Sequence, residues 1–219
     1  MAAPMFLVSG PDLVVETCQA GVIGTFPVLN QRTTDGFEAW LADIRGRLAG
    51  QHCAPFGAQF VVHSTNPRHA ADFAAAIRHE IPIVITTLGI TRELTDAIHT
   101  YGGLVFHDAT TMKHAKKALD ANADGIIAVC AGAGGPAGTY NPFAFITELR
   151  QTAGDKTIIL AGAVSNGQSV ASAIVFAAQR RRAVWKRAPM PSAQAPAEPE
   201  TTCAKLLPGA KSTPYKISV

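Results

Sequence analysis

Two glycine-rich loops are the segments of this sequence best suited to bind a ligand. The first, AGAGGPAG, spans residues 131–138 after an apolar run, and the second lies within LAGAVSNGQSV at residues 160–170. A loop of Gly and Ala lets backbone N–H groups approach a flat ligand or a phosphate without hindrance from side chains. The second loop leads into a predicted helix N-terminus, where the dipole favours an anion. One such loop is commonly an ordinary turn, whereas two on consecutive strands favour a phosphorylated cofactor.

Two histidines could exchange protons with a ligand at the same end of the fold. His107, in VFHDATT, and His63 each come at the end of an apolar run, so each is predicted at the carboxyl end of a strand. There an imidazole can act as an acid, a base or a hydrogen-bond donor. A structural histidine bonded to a neighbouring group is an equal alternative. Thr86 and Thr87 end another apolar run and could also bond a ligand, and no spacing of His, Glu or Asp indicates a metal site.

Composition and charge limit the classes of function. The chain has 219 residues, 47% of them hydrophobic, which is enough for one buried core. A net charge of +3 is too small to indicate nucleic-acid binding, and no apolar run approaches the ~20 residues that span a bilayer. The four cysteines form no CxxC pair, and no secretory leader precedes them. We therefore expect a cytoplasmic protein with free thiols and no membrane segment.

Seven apolar runs rich in Val and Ile alternate with helical segments. They predict strands at residues 2–6, 21–26, 56–62, 81–89, 103–109, 125–132 and 157–163. Continuous apolar strands that alternate with helices indicate a parallel sheet covered on both faces. Seven in succession favour an α/β fold of the (β/α)₈ TIM-barrel type. A doubly wound sheet is the alternative, although its glycine fingerprint would more naturally come early in the chain.

The alternation of strands and helices stops after Phe176. An eighth strand is due there, but the sequence becomes rich in Arg and then carries six prolines beyond Ala188. Sequence of this kind usually does not fold on its own. We therefore predict an incomplete barrel domain at residues 1–176 and a poorly ordered, divergent tail at residues 177–219. A frameshift in the coding sequence is one hypothesis for the change, and true divergence is the other.

Several motifs follow one another along residues 2–176: AAPMFLVSGPDLV, PFG, ITTLG, GGLVFHDATT, DGIIAVCAGAGGPAGT and LAGAVSNGQS. In this order and spacing they resemble the nitronate monooxygenase family, formerly called 2-nitropropane dioxygenase. The resemblance implies an FMN-dependent (β/α)₈ barrel that oxidises alkyl nitronates with dioxygen. Relatives of that family include FMN-dependent NAD(P)H:quinone reductases and enoyl-acyl-carrier-protein reductases. The partners implied are therefore a small-molecule substrate, dioxygen and, in the reductases, NAD(P)H.

The resemblance also implies where FMN is held. The N-terminal run contacts the flavin ring through its backbone, the first glycine loop passes beside the flavin, and the second holds its phosphate. By position these residues are Ala3 and Met5, then Gly134 and Gly135, then Gly162 and Ala163. Gln59 is a further contact, and it stands where the family's PFGVN run has Asn, so its hydrogen bond must shift by one methylene.

Two other departures from the family bear on activity. The family's AGGH loop carries a histidine that removes the α-proton of the substrate, and Pro136 stands at that place. The family's GAD strand and GTRF loop are replaced by the Arg- and Pro-rich tail. Catalysis would then use His107, His63 or no protein base, since a nitronate is already deprotonated. A catalytically impaired flavin-binding fragment is the alternative, and either form is expected to bind FMN weakly or to dissolve poorly.

Overall fold

The computed structural model describes the backbone of residues 1–178 and the side chains of residues 1–174. Within this range six parallel strands form one sheet, in the order β1 to β6 along the chain. They are β1 (Gly24–Pro27), β2 (Phe56–Val61), β3 (Ile83–Thr87), β4 (Leu104–Ala109), β5 (Gly125–Val129) and β6 (Thr157–Ala161).

Seven helices alternate with these strands in the described part of the chain. They are α1 (Pro11–Gln19), α2 (Thr34–Leu48), α3 (His69–Arg78), α4 (Arg92–His99), α5 (Met112–Asp120), α6 (Pro142–Ala153) and α7 (Gly167–Ala178). Threonine side chains at 33, 91 and 111 accept a hydrogen bond from the first turn of α2, α4 and α5. Asn141 does the same for α6, whose first residue is Pro142. These polar caps satisfy backbone donors that a helix leaves unpaired at its start.

The strand order identifies the architecture. Each strand pairs with the next one in the sequence, as in a barrel, whereas a doubly wound sheet reverses its order at a switch point. The sheet curls into a half-barrel. The predicted (β/α)₈-type fold and its incompleteness within residues 1–178 are therefore confirmed, and the doubly wound alternative is wrong.

The two faces of the sheet have different surroundings. On one face the strand side chains pack with helix side chains into the main core, and these strand residues are Phe26, Phe56, Ala58, Phe60, Val84, Val105, Ala109, Ile126 and Ala128. On the opposite face a second cluster contains no helix residue, and its buried members are Ile23, Ile83, Ile85, Phe106 and Ile127. We call the first the helix-packed face and the second the inner face.

The strand predicted at residues 2–6 is wrong, while the other six predicted strands each overlap an observed one. Ala2 does lie beside the start of β1, because its N–H donates to the carbonyl of Ile23 at 2.8 Å. Pro4 then has no N–H with which to continue the ladder. The chain instead turns over residues 6–8, with Leu7 at a φ of 61°.

The predicted domain boundary at residue 176 falls inside α7, which is described as far as Ala178. The tail from residue 179 onward lies outside the described residues, so its predicted disorder stays a prediction. Among residues 1–178, no helix combines the length and the apolar character needed to cross a bilayer.

Candidate functional site

The two glycine loops lie side by side at the carboxyl edge of the sheet. They follow β5 and β6, which are neighbouring parallel strands, and they bond to each other, since the Ala163 N–H donates to the Gly132 carbonyl at 2.9 Å. A Cβ on Gly162 would meet the Ala131 carbonyl oxygen at 3.0 Å, and one on Gly138 would meet the Val129 carbonyl oxygen at 2.1 Å. A larger residue at 162 would therefore press on the first loop, and one at 138 would clash with the end of β5.

Gly134 and Gly135 differ from the glycines that the packing requires. Both are exposed, and a Cβ at either position would meet nothing within 4 Å. Gly135 has a φ of 73°, which favours glycine, whereas Gly134 needs no glycine for reasons of backbone conformation. Pro136 follows them in the same exposed stretch. The structure thus leaves a bare strip of backbone at the position predicted to pass beside a flavin.

The start of α7 offers backbone donors next to the second loop. Asn166 and Ser169 cap this helix, because the Ser169 N–H donates to Asn166 Oδ1 at 2.9 Å and the Asn166 N–H donates to Ser169 Oγ at 3.1 Å. The N–H groups of Gly167 and Gln168 have no acceptor among the described residues. The Ala163 N–H is already used by Gly132. An anion at this loop would therefore meet free donors at α7 rather than at Ala163.

The N-terminal run forms a tight turn at the same edge. Both backbone groups of Met5 are used within this turn, since its N–H donates to Ser9 Oγ at 3.0 Å and its carbonyl accepts from the Ser9 N–H at 3.0 Å and from Asn30 Nδ2 at 3.1 Å. Ala3 makes no backbone hydrogen bond within the described chain and is exposed. Of the two predicted ring contacts, Ala3 therefore has free backbone groups and Met5 does not.

His107 lies on the helix-packed face. It alternates along β4 with the core residues Val105 and Ala109 and is only 5% exposed. Its Nδ1 is 2.8 Å from Thr86 Oγ1 on the neighbouring strand. Burial lowers the pKa of His107 to about 4, with a further contribution from charges on α5. A neutral imidazole bonded behind the sheet supports the structural alternative and argues against direct contact with a ligand on the inner face.

Asp108, the next residue, lies on the inner face. It alternates with Leu104 and Phe106 of the inner cluster and pairs with Ile127 on β5. Its side chain is partly buried and makes no hydrogen bond or ion pair with any described residue. Burial raises the pKa of Asp108 to about 7. This is a carboxyl group that can change protonation state near neutral pH, at the edge where the predicted ligand residues meet.

Polar side chains on the two preceding strands share this position. Gln59 pairs with Ile85 of the inner cluster, and Thr87 pairs with Val61 near the end of β2. Neither side chain has a hydrogen-bond partner in the described chain, and both are partly exposed. We call Gln59, Thr87 and Asp108 the inner polar edge. Three neighbouring strands thus present unsatisfied polar groups toward the same side of the sheet.

His63 remains accessible, two residues beyond the end of β2. Its ring is exposed, and its Nδ1 lies 2.9 Å from Thr65 Oγ1. It therefore stays a candidate contact at the carboxyl edge.

Asp108 is the functional candidate that sequence reasoning missed. Its strand is apolar on both faces, so no alternation of polar and apolar residues shows which of His107 and Asp108 points inward. His107 was predicted as the catalytic residue because the usual pKa of histidine lies near neutrality. Only the register of β4 against its neighbours resolves the choice.

Known proteins resemble this chain in fold rather than in sequence. No family model and no curated protein sequence matches it. Its fold matches a nitroalkane oxidase from Streptomyces ansochromogenes, with a TM-score of 0.71 and 22% identity over 80% of this chain and 61% of that one. It also matches FabK from Thermotoga maritima, with a TM-score of 0.69 and 20% identity over 80% of this chain and 53% of that one.

A third match is the enoyl reductase domain of MlnA from Bacillus amyloliquefaciens, with a TM-score of 0.63 and 16% identity over 80% of this chain and 50% of that one. The chain thus spans between 50% and 61% of the length of these three structures. At these identities the likeness shows the fold. Because one fold hosts many activities, chemistry must be argued from the site itself.

Proposed function

We propose that this chain binds FMN at the carboxyl edge of its sheet and acts as a flavin-dependent oxidoreductase. Its proposed substrates are alkyl nitronates, and its proposed electron acceptor is dioxygen. Two kinds of support agree, the motif resemblance along residues 2–176 and the fold likeness to a nitroalkane oxidase. The observation that carries the proposal is the bare strip at Gly134 and Gly135, held beside the loop at 161–163 by the bond between Ala163 and Gly132.

The residues present fit such a cofactor. The strip at Gly134 and Gly135 is exposed, and no described atom lies within 4 Å of a Cβ placed at either residue, so a flat ring can approach its backbone. The free N–H groups of Gly167 and Gln168, at a helix N-terminus, suit its phosphate. When bound, FMN supplies the means to accept two electrons from the substrate and to pass them to dioxygen.

The inner polar edge would orient the ligand from the other side. Gln59 presents an amide that can both donate and accept, and Thr87 presents a hydroxyl group with the same capacity. Neither group has a hydrogen-bond partner among the described residues, so binding need not break a hydrogen bond that the structure shows. The free backbone of Ala3 adds donor and acceptor groups at the N-terminal turn.

Replacing Gly134 by Ala tests whether the strip touches the flavin. A Cβ at Gly134 would meet no atom of the described residues within 4 Å, and the backbone there is not left-handed, so the variant should fold with an unchanged melting temperature. A bound ring would meet the new methyl group, and we expect the Kd for FMN, measured by quenching of flavin fluorescence, to rise at least roughly tenfold, since about 1.4 kcal/mol of lost contact has that effect.

Gly46→Ala is the matched control for this substitution. Gly46 lies on α2 with nothing within 4 Å of its Cβ, so the change should stabilise the helix by up to about 1 kcal/mol and leave FMN affinity unchanged. Equal FMN affinity in wild-type protein and Gly134→Ala would contradict flavin contact at this loop. Failure of the wild-type chain to bind FMN would overturn the proposed function and favour the catalytically impaired fragment.

An FMN-dependent NAD(P)H:quinone or enoyl reductase is the second candidate, and the fold likeness to the MlnA enoyl reductase domain favours it. Three assays separate the candidates: propionate 3-nitronate with dioxygen, neutral nitroethane with dioxygen, and NAD(P)H with a quinone or an enoyl thioester. Turnover of the nitronate supports the first proposal. Turnover only with NAD(P)H supports the reductase.

A further inference from the structure

The carboxyl group of Asp108 lies on the inner face of the sheet, one residue before the carboxyl end of β4. The pair Thr86 and His107 fixes the register of β3 against β4, so the next residues, Thr87 and Asp108, are neighbours on the opposite, inner face. On its other side Asp108 pairs with Ile127, whose side chain belongs to the inner cluster. Asp108 is therefore flanked by a polar side chain on β3 and an apolar side chain on β5.

The lack of a partner separates Asp108 from the other aspartates that are withdrawn from solvent. Asp124 accepts from the Val105 N–H at 2.8 Å and pairs with His99 at 2.8 Å. Asp72 accepts hydrogen bonds from Arg68 and Thr34. Asp108 has no such hydrogen bond or ion pair among the described residues. A partly buried carboxyl group without a bond has no structural role that the fold displays.

The charged groups on elements packed against β4 lie elsewhere. β3 and β5 carry no ionisable side chain. On α5, His114 and Lys117 act on the imidazole of His107, behind the sheet. On α4, Arg92 bonds to Asp96, and His99 faces Asp124 as described above. Desolvation alone therefore sets the pKa of Asp108, which it raises to about 7.

We propose that Asp108 is the proton-exchanging residue of this site, in place of the histidine that Pro136 replaces. Its substrates would be small neutral molecules with an acidic C–H bond beside a nitro group. This inference rests on the proposed function for its substrate class. A carboxyl group that is half ionised near neutral pH is well matched to general acid–base catalysis.

The proton transfer balances without an oxidant. Ionised Asp108 accepts the α-proton of a nitroalkane, so that the C–H bond breaks and an O–H bond forms on the carboxyl group. The electron pair of the C–H bond becomes the second bond between carbon and nitrogen, and the negative charge moves to the nitro oxygens. In the reverse direction the protonated carboxyl group returns a proton, or a deuteron from heavy water, to the same carbon.

The two protonation states of Asp108 should also sort substrates by charge. A protonated carboxyl group can donate a hydrogen bond to an anionic nitronate oxygen, whereas a carboxylate repels it. We therefore expect the KM for ethyl nitronate to rise as the pH increases through about 7. The rate with neutral nitroethane should rise over the same interval, because it needs the ionised form.

The test measures the exchange of the α-hydrogens of nitroethane for deuterium in heavy water. The reaction contains the FMN-loaded full chain and no dioxygen, and proton NMR monitors the loss of the α-hydrogen signal. Wild-type protein should accelerate this exchange, with a midpoint near pH 7. Asp108→Asn should reduce the acceleration at least roughly 100-fold, the usual contribution of a general base. Asp155→Asn, at an exposed turn between α6 and β6, should leave it unchanged. Thermal melting checks that both variants are folded.

The outcomes separate this inference from the proposed function. If Asp108→Asn exchanges as fast as wild type, or if His63→Gln alone abolishes exchange, then Asp108 is not the base. If wild-type protein oxidises the nitronate but does not exchange the α-hydrogen of nitroethane, the role of Asp108 is contradicted and the proposed function is supported. If the exchange depends on Asp108 but no nitronate is oxidised, the role of Asp108 is supported and the proposed oxidase function is contradicted. If Asp108→Asn folds but leaves the KM for ethyl nitronate unchanged, the protonation state of Asp108 does not control nitronate binding.

Discussion

His107 and Asp108 are neighbours in β4, but burial moves their pKa values in opposite directions. Burial lowers the pKa of His107 from 6.5 to about 4 and raises that of Asp108 from 3.8 to about 7. Between about pH 4 and 6.5 the unfolded chain holds a proton on His107 that the folded chain does not, so stability rises with pH. Over nearly the same interval the folded chain holds a proton on Asp108 that the unfolded chain does not, so stability falls with pH. The two contributions oppose each other.

Replacing either residue should therefore reveal the pH dependence of stability that the other residue contributes. In His107→Gln only the contribution of Asp108 remains, so the slope of the free energy of unfolding against pH between pH 4.5 and 6.5 should be lower than in wild type by up to about 1.4 kcal/mol per pH unit. In Asp108→Asn the slope should change by a similar amount with the opposite sign. Urea unfolding at several pH values measures both. His52→Gln, at an exposed position outside the helices and strands, should run parallel to wild type, and parallel curves for all three variants would contradict the opposed pKa shifts.

At the scale of the elements, the sequence was most informative where several local signals coincided. Runs of Val and Ile bounded by Gly located six strands. The two glycine loops, predicted on consecutive strands, lie side by side because neighbouring parallel strands end at one edge. The strand predicted at residues 2–6 failed, since Pro4 removes a ladder donor and no strand of the described chain pairs on its other side.

The candidate site was harder to predict than the fold for a specific physical reason. A strand buried on both faces shows no period of two, so its sequence does not reveal which side chains point inward. This is why the imidazole of His107 was expected at the ligand and lies behind the sheet, bonded to Thr86. The hydrogen bonds that occupy the backbone groups of Met5 could not be predicted either, because the turn that pairs Met5 with Ser9 is bonded to Asn30, which is distant in sequence.

A hydrogen-bond network around the ion pair of Arg68 and Asp72 joins elements on the helix-packed side. Asp72 on α3 is 1% exposed and accepts from Thr34 Oγ1 at 2.7 Å and from Arg68 Nη2 at 3.0 Å. Arg68 Nη1 also donates to the Gln31 carbonyl at 2.7 Å. The network therefore ties the start of α3 to the start of α2 and to the segment that follows β1.

Removing the buried charge should be costly. In Asp72→Asn the guanidinium group of Arg68 loses its partner in a partly buried position, and we expect a loss of about 2–4 kcal/mol in the free energy of unfolding. Arg92 and Asp96 on α4 form the matched control, the same residue pair at the same spacing with both side chains exposed. Asp96→Asn should cost no more than about 0.5 kcal/mol. Chemical denaturation gives both values, and equal losses would show that burial does not govern the pair.

At the scale of the whole molecule, the sheet has two ends within the described chain. β1 and β6 each pair with one neighbour, and no other strand of residues 1–178 covers their outer sides. All five residues of β6 are only partly buried, whereas four of the five residues of β3 are fully buried. An unpaired edge presents backbone donors and acceptors to another strand, and the partly buried inner-face side chain of Ile159 lies beside it.

These edges should make backbone protection depend on protein concentration. In hydrogen–deuterium exchange of the full chain, amides of β3 should be protected by the global stability at any concentration, while those of β6 should exchange faster in dilute solution. If β6 pairs with the β1 or β6 edge of a second copy, its protection should increase with concentration, in step with the mass measured by light scattering.

FMN should not alter the exchange of the β3 amides, but it should slow exchange at residues 131–138 if the proposed site is correct. Strong protection of β6 in a dilute monomer would contradict pairing between copies, because only another part of the same chain could then cover that edge.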